Sequence, residues 1–172
     1  IAGDKETDNG KFVRAALQID AHDWWVCASP VNLGPTYMAF QEARLLGAVV
    51  VWNKKVPALG YQFIRRQCEF VLFATTRKKP REEASESDLW DITTDSHKDY
   101  LHGAQKPVAL VERALTFSGG KTVVDPFLGS GTTLIACERL GRICMSMEIE
   151  PRYVQVALER WEAYTGRKAV KV

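Results

Sequence analysis

Apolar, β-branched runs alternate along this chain with amphipathic helical stretches, and this alternation restricts the fold more than any other feature. Strands buried on both faces read as continuous apolar runs, whereas helices place apolar residues three and four positions apart. The pattern predicts strands at 24–29, 48–53, 69–75, 122–125 and 143–148. Helices are expected at 11–20, 35–46, 107–118, 132–140 and 151–164. The order indicates an α/β fold, doubly wound around a mostly parallel sheet that helices cover on both faces.

The composition indicates one folded domain over 1–172, because 46% of the residues are apolar and 26% are charged. The longest apolar run, Leu45–Trp52, is far shorter than the about 20 residues of a membrane span. The chain opens with no signal segment, so a cytoplasmic protein is expected. The polar segment 76–103 is interpreted as a linker or a short insertion.

Cysteine and histidine spacing indicates no metal site. The four cysteines form no C-x-x-C pair, and three of them lie in apolar runs, so we expect reduced core residues. The three histidines are scattered along the chain without the spacing of zinc ligands.

Basic residues are concentrated in the middle of the chain. From Lys54 to Arg81, eight Lys and Arg residues stand against one acid, and the balance reverses between Glu82 and Asp99. A solvated surface explains the acidic run. The basic run is interleaved with aromatic side chains, Trp52, Tyr61 and Phe63, a mixture typical of nucleic-acid-binding grooves. Its irregular part, 54–67, is therefore a candidate nucleic-acid-binding loop.

A glycine-rich turn follows the strand at 122–125 and leads into a helix: Asp125-Pro-Phe-Leu-Gly-Ser-Gly-Thr-Thr133. Glycine permits positive φ and close approach of a ligand, and the first N–H groups of a helix favour an anion. The lysine of a P-loop and the third glycine of the dinucleotide fingerprint are both absent. Glu148, 17 residues after Gly131, ends the next predicted strand, where an acid can accept ribose hydroxyls. These residues predict a ligand with an anionic end and a ribose.

The string 125–133 resembles the methyl-donor-binding motif of DNA amino-methyltransferases, which transfer a methyl group from S-adenosylmethionine to adenine or cytosine. Residues 147–153 resemble that family's ribose-binding motif, and 102–107 resemble its Gln-Lys-Pro motif. The order of these segments is that of the family's β arrangement, in which catalytic segments precede donor-binding ones. The resemblance covers nearly the whole chain and implies the methyltransferase type of doubly wound sheet.

The resemblance also implies roles for individual residues. Asp125, Phe127, Gly129 and Gly131 would shape the donor pocket, Thr132 and Thr133 would meet the donor's carboxylate, Glu148 would hold the ribose, and Gln105 and Lys106 would close the methionine end. Lys54, Lys55, Arg65 and Arg66 would contact double-stranded DNA, whose target base is flipped into the site. Adenine is favoured over cytosine as the target. Two further partners are left open, a second copy of the chain in a homodimer and a restriction endonuclease. The sequence also leaves open whether the protein belongs to a restriction system or is an orphan enzyme of a phage or mobile element.

One expected motif is absent: no Asp-Pro-Pro-Tyr or Ser-Pro-Pro-Tyr catalytic tetrapeptide occurs in the 172 residues. The nearest string, Ser29-Pro-Val-Asn32, lacks the second proline and the aromatic residue. Because the first residues resemble the segment after the tetrapeptide in phage-like members, we expect the catalytic strand before Ile1 and no activity from these residues alone. The catalytic residues are therefore unassigned. Two alternatives are a non-catalytic module that binds nucleic acid or the donor, and an RNA methyltransferase.

Overall fold

The computed structural model describes residues 9–60, 63–79, 86–94 and 105–171. The chain divides into two compact units, Ile1–Thr93 and Thr94–Val172. The first residues, Tyr61, His102 and part of the acidic run lie outside the described residues. The single domain over 1–172 and the catalytic strand before Ile1 stay predictions.

The described residues of the first unit form two helices and four strands. They are α1 (Asn9–Ala16), β1 (Asp23–Ala28), α2 (Pro30–Glu42), β2 (Leu46–Asn53), β3 (Cys68–Thr75) and β4 (Leu89–Asp91). The strands form one sheet in the order β1-β3-β2-β4. The mixed order of helices and strands confirms the α/β class.

Strand direction in this sheet is more mixed than the sequence predicts. β3 runs antiparallel to both of its neighbours, β1 and β2, while β2 and β4 are parallel. The connection from β2 to β3 contains no helix, and a direct return of this kind produces an antiparallel pair. Apolar content predicts which residues form strands, but it does not predict their direction.

Helices α1 and α2 cover one face of this sheet. Val13 of α1, Phe40 of α2 and Leu72 of β3 lie in one buried apolar cluster. α2 begins at Pro30 instead of Pro35, since Pro30 occupies the first helical turn, where proline is tolerated. Pro35 lies inside the helix and removes one backbone hydrogen bond, but the burial of Phe40 and its neighbours against the sheet keeps the helix intact.

Strand β4 lies inside the segment that composition marks as polar, where the sequence predicts no strand. Trp90 at its centre is 1% exposed and lies opposite Trp52, which is also 1% exposed. The indole N–H of Trp90 donates to the Ser87 carbonyl, and that of Trp52 donates to the Ile92 carbonyl. Among the residues of this segment that the structure describes, Trp90 is the only fully buried one.

The second unit alternates helix and strand in the described residues. Its elements are α3 (Val108–Phe117), β5 (Thr122–Asp125), α4 (Thr132–Arg139), β6 (Ile143–Ser146) and α5 (Pro151–Thr165). β5 and β6 form a parallel pair, and α4 makes the crossover that a parallel pair needs. Each element lies where the pattern predicts it, although β6 ends before Glu148.

Helices α3 and α4 pack together against one face of the β5–β6 pair, with Ile135 and Cys137 of α4 in the core. The alternate side chains of the same strands, Val124, Ile143 and Met145, are exposed. None of the described helices is both long enough and apolar enough to cross a membrane.

Candidate functional site

The glycine-rich turn, residues 126–131, joins β5 to α4 and extends the pairing of β5 with β6. The Met147 N–H donates to the Asp125 carbonyl over 3.0 Å, and the Leu128 N–H donates to the Met147 carbonyl over 3.0 Å. Gly129 and Gly131 have φ of 54° and 84°, in the region that glycine adopts without strain. The predicted turn is therefore present, and its two glycines have the backbone conformation that only glycine adopts freely.

Asp125 and Phe127 stand at the entrance of this turn. The Phe127 N–H donates to the Asp125 carboxylate over 2.9 Å, which fixes the first bend of the chain after β5. The ring of Phe127 is exposed and offers an apolar surface beside the turn.

Glu148 lies beside the same turn, two residues after β6. Its Oε2 accepts the Gly129 N–H over 2.7 Å, and its Oε1 accepts the Glu150 N–H over 2.9 Å. A carboxylate has about four lone-pair positions, so two remain for hydroxyl groups. The structure thus brings the predicted ribose acid and the glycine-rich turn into direct contact.

Gln105 and Lys106 meet the turn from the other side. Ser130 Oγ donates to Gln105 Oε1 over 3.0 Å, in a bond that is buried. Thr132 Oγ1 donates to the Lys106 carbonyl over 3.1 Å. The segment before α3 is therefore attached to the turn by two side-chain hydrogen bonds.

The two threonines at the start of α4 differ in exposure. Thr132 is buried, and its hydroxyl hydrogen is used by the Lys106 carbonyl. Thr133 is half-buried. Thr132 can therefore donate to an anion only through its backbone N–H, which has no partner within the helix. The predicted role of Thr133 stays a prediction.

Helix α5 supplies two contacts to the turn that the sequence does not reveal. A Cβ at Gly131 would lie 2.9 Å from the Ala157 Cβ, so α5 packs directly on the glycine. Arg160 Nη1 donates to the Ser130 carbonyl over 3.2 Å and to Thr132 Oγ1 over 3.3 Å. The sequence shows only that Ala157 and Arg160 share a helix face, and it does not show which segment packs on that face.

Two cysteines lie behind the turn, in the core between α4 and β6. The hydrogen bond with Cys144 and burial raise the pKa of Cys137, while the same hydrogen bond lowers the pKa of Cys144. Cys137 is buried as expected, whereas Cys27 is exposed. None of the four cysteines forms a disulfide.

The base of loop 54–67 is held by Asn53, the last residue of β2. Its Oδ1 accepts from the Lys55 N–H over 3.0 Å and from Gln67 Nε2 over 2.8 Å, and its Nδ2 donates to Asp91 Oδ1 over 2.8 Å. The sequence offers no signal for this role, because two of the three partners, Gln67 and Asp91, lie 14 and 38 residues further along the chain.

The four candidate DNA-binding cations fall into two pairs. Lys54 forms a half-buried ion pair with Glu69, and Lys55 lies 3.7 Å from Asp91. Arg65 and Arg66 are exposed and form no ion pair with any residue that the structure describes. The two arginines are thus better placed than the two lysines to meet phosphates.

Large apolar side chains project from the same loop. Phe63, Ile64, Leu59 and Val56 are all exposed. Several exposed apolar side chains close together in sequence are more than the single ones normal on a surface.

Within the described ranges, no three His, Cys, Asp or Glu side chains lie close enough together to hold a metal ion.

Residues 11–159 match the N6/N4 methyltransferase family, described as DNA methylase. Among relatives, the type II methyltransferase M2.DpnII of Streptococcus pneumoniae is 29% identical over 93% of this chain and 68% of its own length. M2.LlaDCHI of Lactococcus lactis subsp. cremoris is 30% identical over 79% of this chain and 58% of its own length. The chain thus spans about two thirds or less of these relatives.

Two solved structures have a similar fold. M1.HpyAVI in complex with S-adenosylmethionine gives a TM-score of 0.73 at 24% identity, covering 88% of this chain and 81% of that one. TTHA0409 of Thermus thermophilus, complexed with S-adenosyl-L-methionine, gives 0.70 at 20% identity, covering 96% and 82%. These likenesses confirm the predicted methyltransferase type of α/β fold. Because the family match spans most of its length, the chain belongs to the N6/N4 DNA methylase family.

Proposed function

We propose that this protein transfers a methyl group from S-adenosylmethionine to an exocyclic amino group of adenine or cytosine in double-stranded DNA. One observation carries the proposal: the Glu148 carboxylate is hydrogen bonded to Gly129 N–H, so the ribose acid and the glycine-rich turn form one site. Membership of the DNA methylase family supports the reaction and the substrate.

Glu148 would hold and orient the donor's ribose. Its two backbone bonds fix the carboxylate in place, and its remaining lone pairs can accept two hydroxyl hydrogens. Phe127 would cover the neighbouring part of the donor with its exposed ring. A carboxylate that is already positioned loses little conformational entropy when the ligand binds.

The start of α4 would hold the donor's carboxylate. The first N–H groups of a helix lack intrahelical partners and carry a partial positive charge, so Thr132 and Thr133 offer backbone donors there. Gln105 and Lys106, attached to the turn through Ser130 and Thr132, would close this end. When bound, S-adenosylmethionine supplies the methyl group.

The group that activates the target amine is not assigned. The string nearest to the catalytic tetrapeptide, residues 29–32, forms the start of α2, with Ser29 as its N-cap. In this helix start the string has neither an extended loop conformation nor an aromatic side chain that could stack on a flipped base. No step of the methyl transfer is therefore attributed to these residues.

Loop 54–67 would contact the DNA. Arg65 and Arg66 are exposed cations that can bind phosphates, and Phe63 and Ile64 beside them can contact bases. Asn53 holds the base of the loop. Lys54 and Lys55, which pair with acids, would contribute less. A homodimer, an endonuclease partner and a cytoplasmic location stay predictions.

Calorimetry of the purified protein with S-adenosylmethionine, its demethylated product S-adenosylhomocysteine and, as a control, ATP tests the donor site. We expect both sulfur-containing ligands to bind and ATP to fail. A well-folded preparation that binds neither would overturn the assignment. Transfer of labelled methyl groups to DNA and to a matched RNA then separates the DNA enzyme from an RNA methyltransferase.

A further inference from the structure

Arg160 of α5 places a positive charge beside the start of α4. Its Nη1 donates to the Ser130 carbonyl over 3.2 Å and to Thr132 Oγ1 over 3.3 Å. These two residues flank Gly131, the N-cap of α4. A guanidinium is charged at every accessible pH, so this charge adds permanently to the positive end of the α4 dipole.

The same two partners of Arg160 also hold the Gln105–Lys106 segment. Ser130 Oγ donates to Gln105, and Thr132 Oγ1 donates to the Lys106 carbonyl. Arg160, the turn and this segment therefore belong to one hydrogen-bonded group. A group of this kind keeps its donors in place before a ligand arrives.

Close packing fixes where Arg160 can lie. Ala157, three positions earlier on the same helix face, is 1% exposed. Its Cβ occupies the space that a side chain at Gly131 would need. Helix α5 cannot shift along the turn without breaking this contact, so the position of the guanidinium is tied to the turn.

We propose that Arg160 is a positioning residue that makes the donor site select ligands with a carboxylate at the amino-acid end. Arg160 acts through its two hydrogen-bond partners, Ser130 and Thr132. It fixes the N–H groups at the start of α4 and raises the positive potential there. The proposal rests on the proposed function, because it takes the glycine-rich turn as the donor site.

Two ligands that share the nucleoside test this selectivity. S-adenosylhomocysteine carries the amino-acid carboxylate, and 5′-methylthioadenosine lacks the whole amino-acid end. With Arg160→Met, we expect the affinity for S-adenosylhomocysteine to fall about tenfold and that for 5′-methylthioadenosine to fall less than about twofold. Arg160→Lys keeps the charge and should lose about threefold for the first ligand only.

Lys121→Met is the control, because Lys121 is exposed just before β5, at the opposite end of that strand from the turn, and its backbone carbonyl, not its side chain, is hydrogen bonded to Ile143. Both affinities should be unchanged in that variant. An equal loss for both ligands in Arg160→Met, or no loss for either, overturns the proposal and leaves the proposed function standing. If Arg160→Met does not fold, Arg160→Lys decides by the same comparison. Failure of the unmodified protein to bind S-adenosylhomocysteine would instead refute the proposed function.

Discussion

The glycine-rich turn and loop 54–67 both follow the end of a strand, but their polar side chains lie in opposite environments, buried at the turn and exposed in the loop. At the end of the turn and the start of α4, Ser130 and Thr132 are buried and hydrogen bonded within the protein. In the loop, Arg65 and Arg66 are exposed and form no ion pair with a described residue. The polar side chains at the turn are thus already hydrogen bonded within the protein, whereas the two arginines of the loop remain exposed to solvent.

The difference has a structural cause. The turn continues the β5–β6 pairing and is packed by α5. The loop is held mainly at its base, by Asn53 and by backbone bonds from Lys54 to Gln67 and from Ala58 to Arg66. Substitutions in the turn should therefore affect stability and donor binding, and substitutions in the loop should affect DNA binding alone.

Gly131→Ala should have the largest effect. It places a Cβ 2.9 Å from the Ala157 Cβ at a φ of 84°, and strain together with the clash should lower the free energy of unfolding by about 3 kcal/mol. Urea denaturation measures this change in the free energy of unfolding. Gly141→Ala is the matched control, because Gly141 has a φ of 64° and no atom within 4 Å of an added Cβ, so it should lose only about 1 kcal/mol. Equal losses at both positions would contradict close packing by α5.

Glu148→Gln should lower the affinity for S-adenosylhomocysteine by about 10- to 100-fold. An amide keeps one acceptor oxygen but turns an N–H group toward backbone donors or ribose hydroxyls, so one hydrogen bond to a charged group is lost. Calorimetry gives the value. Glu150→Gln removes a neighbouring charge without touching the Gly129 bond and should leave the affinity nearly unchanged. Similar effects of both variants would mean that local charge, and not the Glu148 geometry, holds the donor.

Replacing Arg65 and Arg66 together by Ser should lower DNA affinity about tenfold at low salt. Two fewer phosphate contacts should make the slope of log affinity against log salt shallower by about 1.8. Arg14→Ser with Arg44→Ser removes the same charge near the ends of α1 and α2 and should change the slope little. Donor affinity should stay constant in both double variants. A slope unchanged by the loop substitutions would remove loop 54–67 from the DNA surface.

Replacing Phe63 and Ile64 together by Ser should have the smallest effect on the fold. Both side chains are exposed, so the free energy of unfolding should stay within about 0.5 kcal/mol of the unmodified value. DNA affinity should fall a few-fold with no change in the salt slope, since apolar contacts release no counterions. A clear loss of stability would show that the loop is packed within the protein as the turn is, which would contradict the difference between the two regions.

Local motifs account for what the sequence predicts correctly. The turn and the elements around it follow from residues 122–148 alone, where strand, glycines, helix and acid are close in the chain. Arg160 and Asn53 are different, because their partners come from distant segments. Lys54 and Lys55 look like DNA-binding residues in the sequence, and only the folded structure places Glu69 and Asp91 beside them. Strand β4 escapes detection because its burial depends on the single Trp90.

The contact of Arg160 with the turn also has a consequence for synthesis on the ribosome. Ser130 and Thr132 precede Arg160 by 30 and 28 residues. At about 5–20 residues per second, the ribosome adds Arg160 roughly 1.5–6 s after the turn. During this interval the nascent turn has neither the guanidinium nor Ala157 against it. The start of α4 therefore reaches its final geometry only after most of α5 has been translated, and a chain that stalls earlier carries the whole glycine-rich motif without a completed pocket.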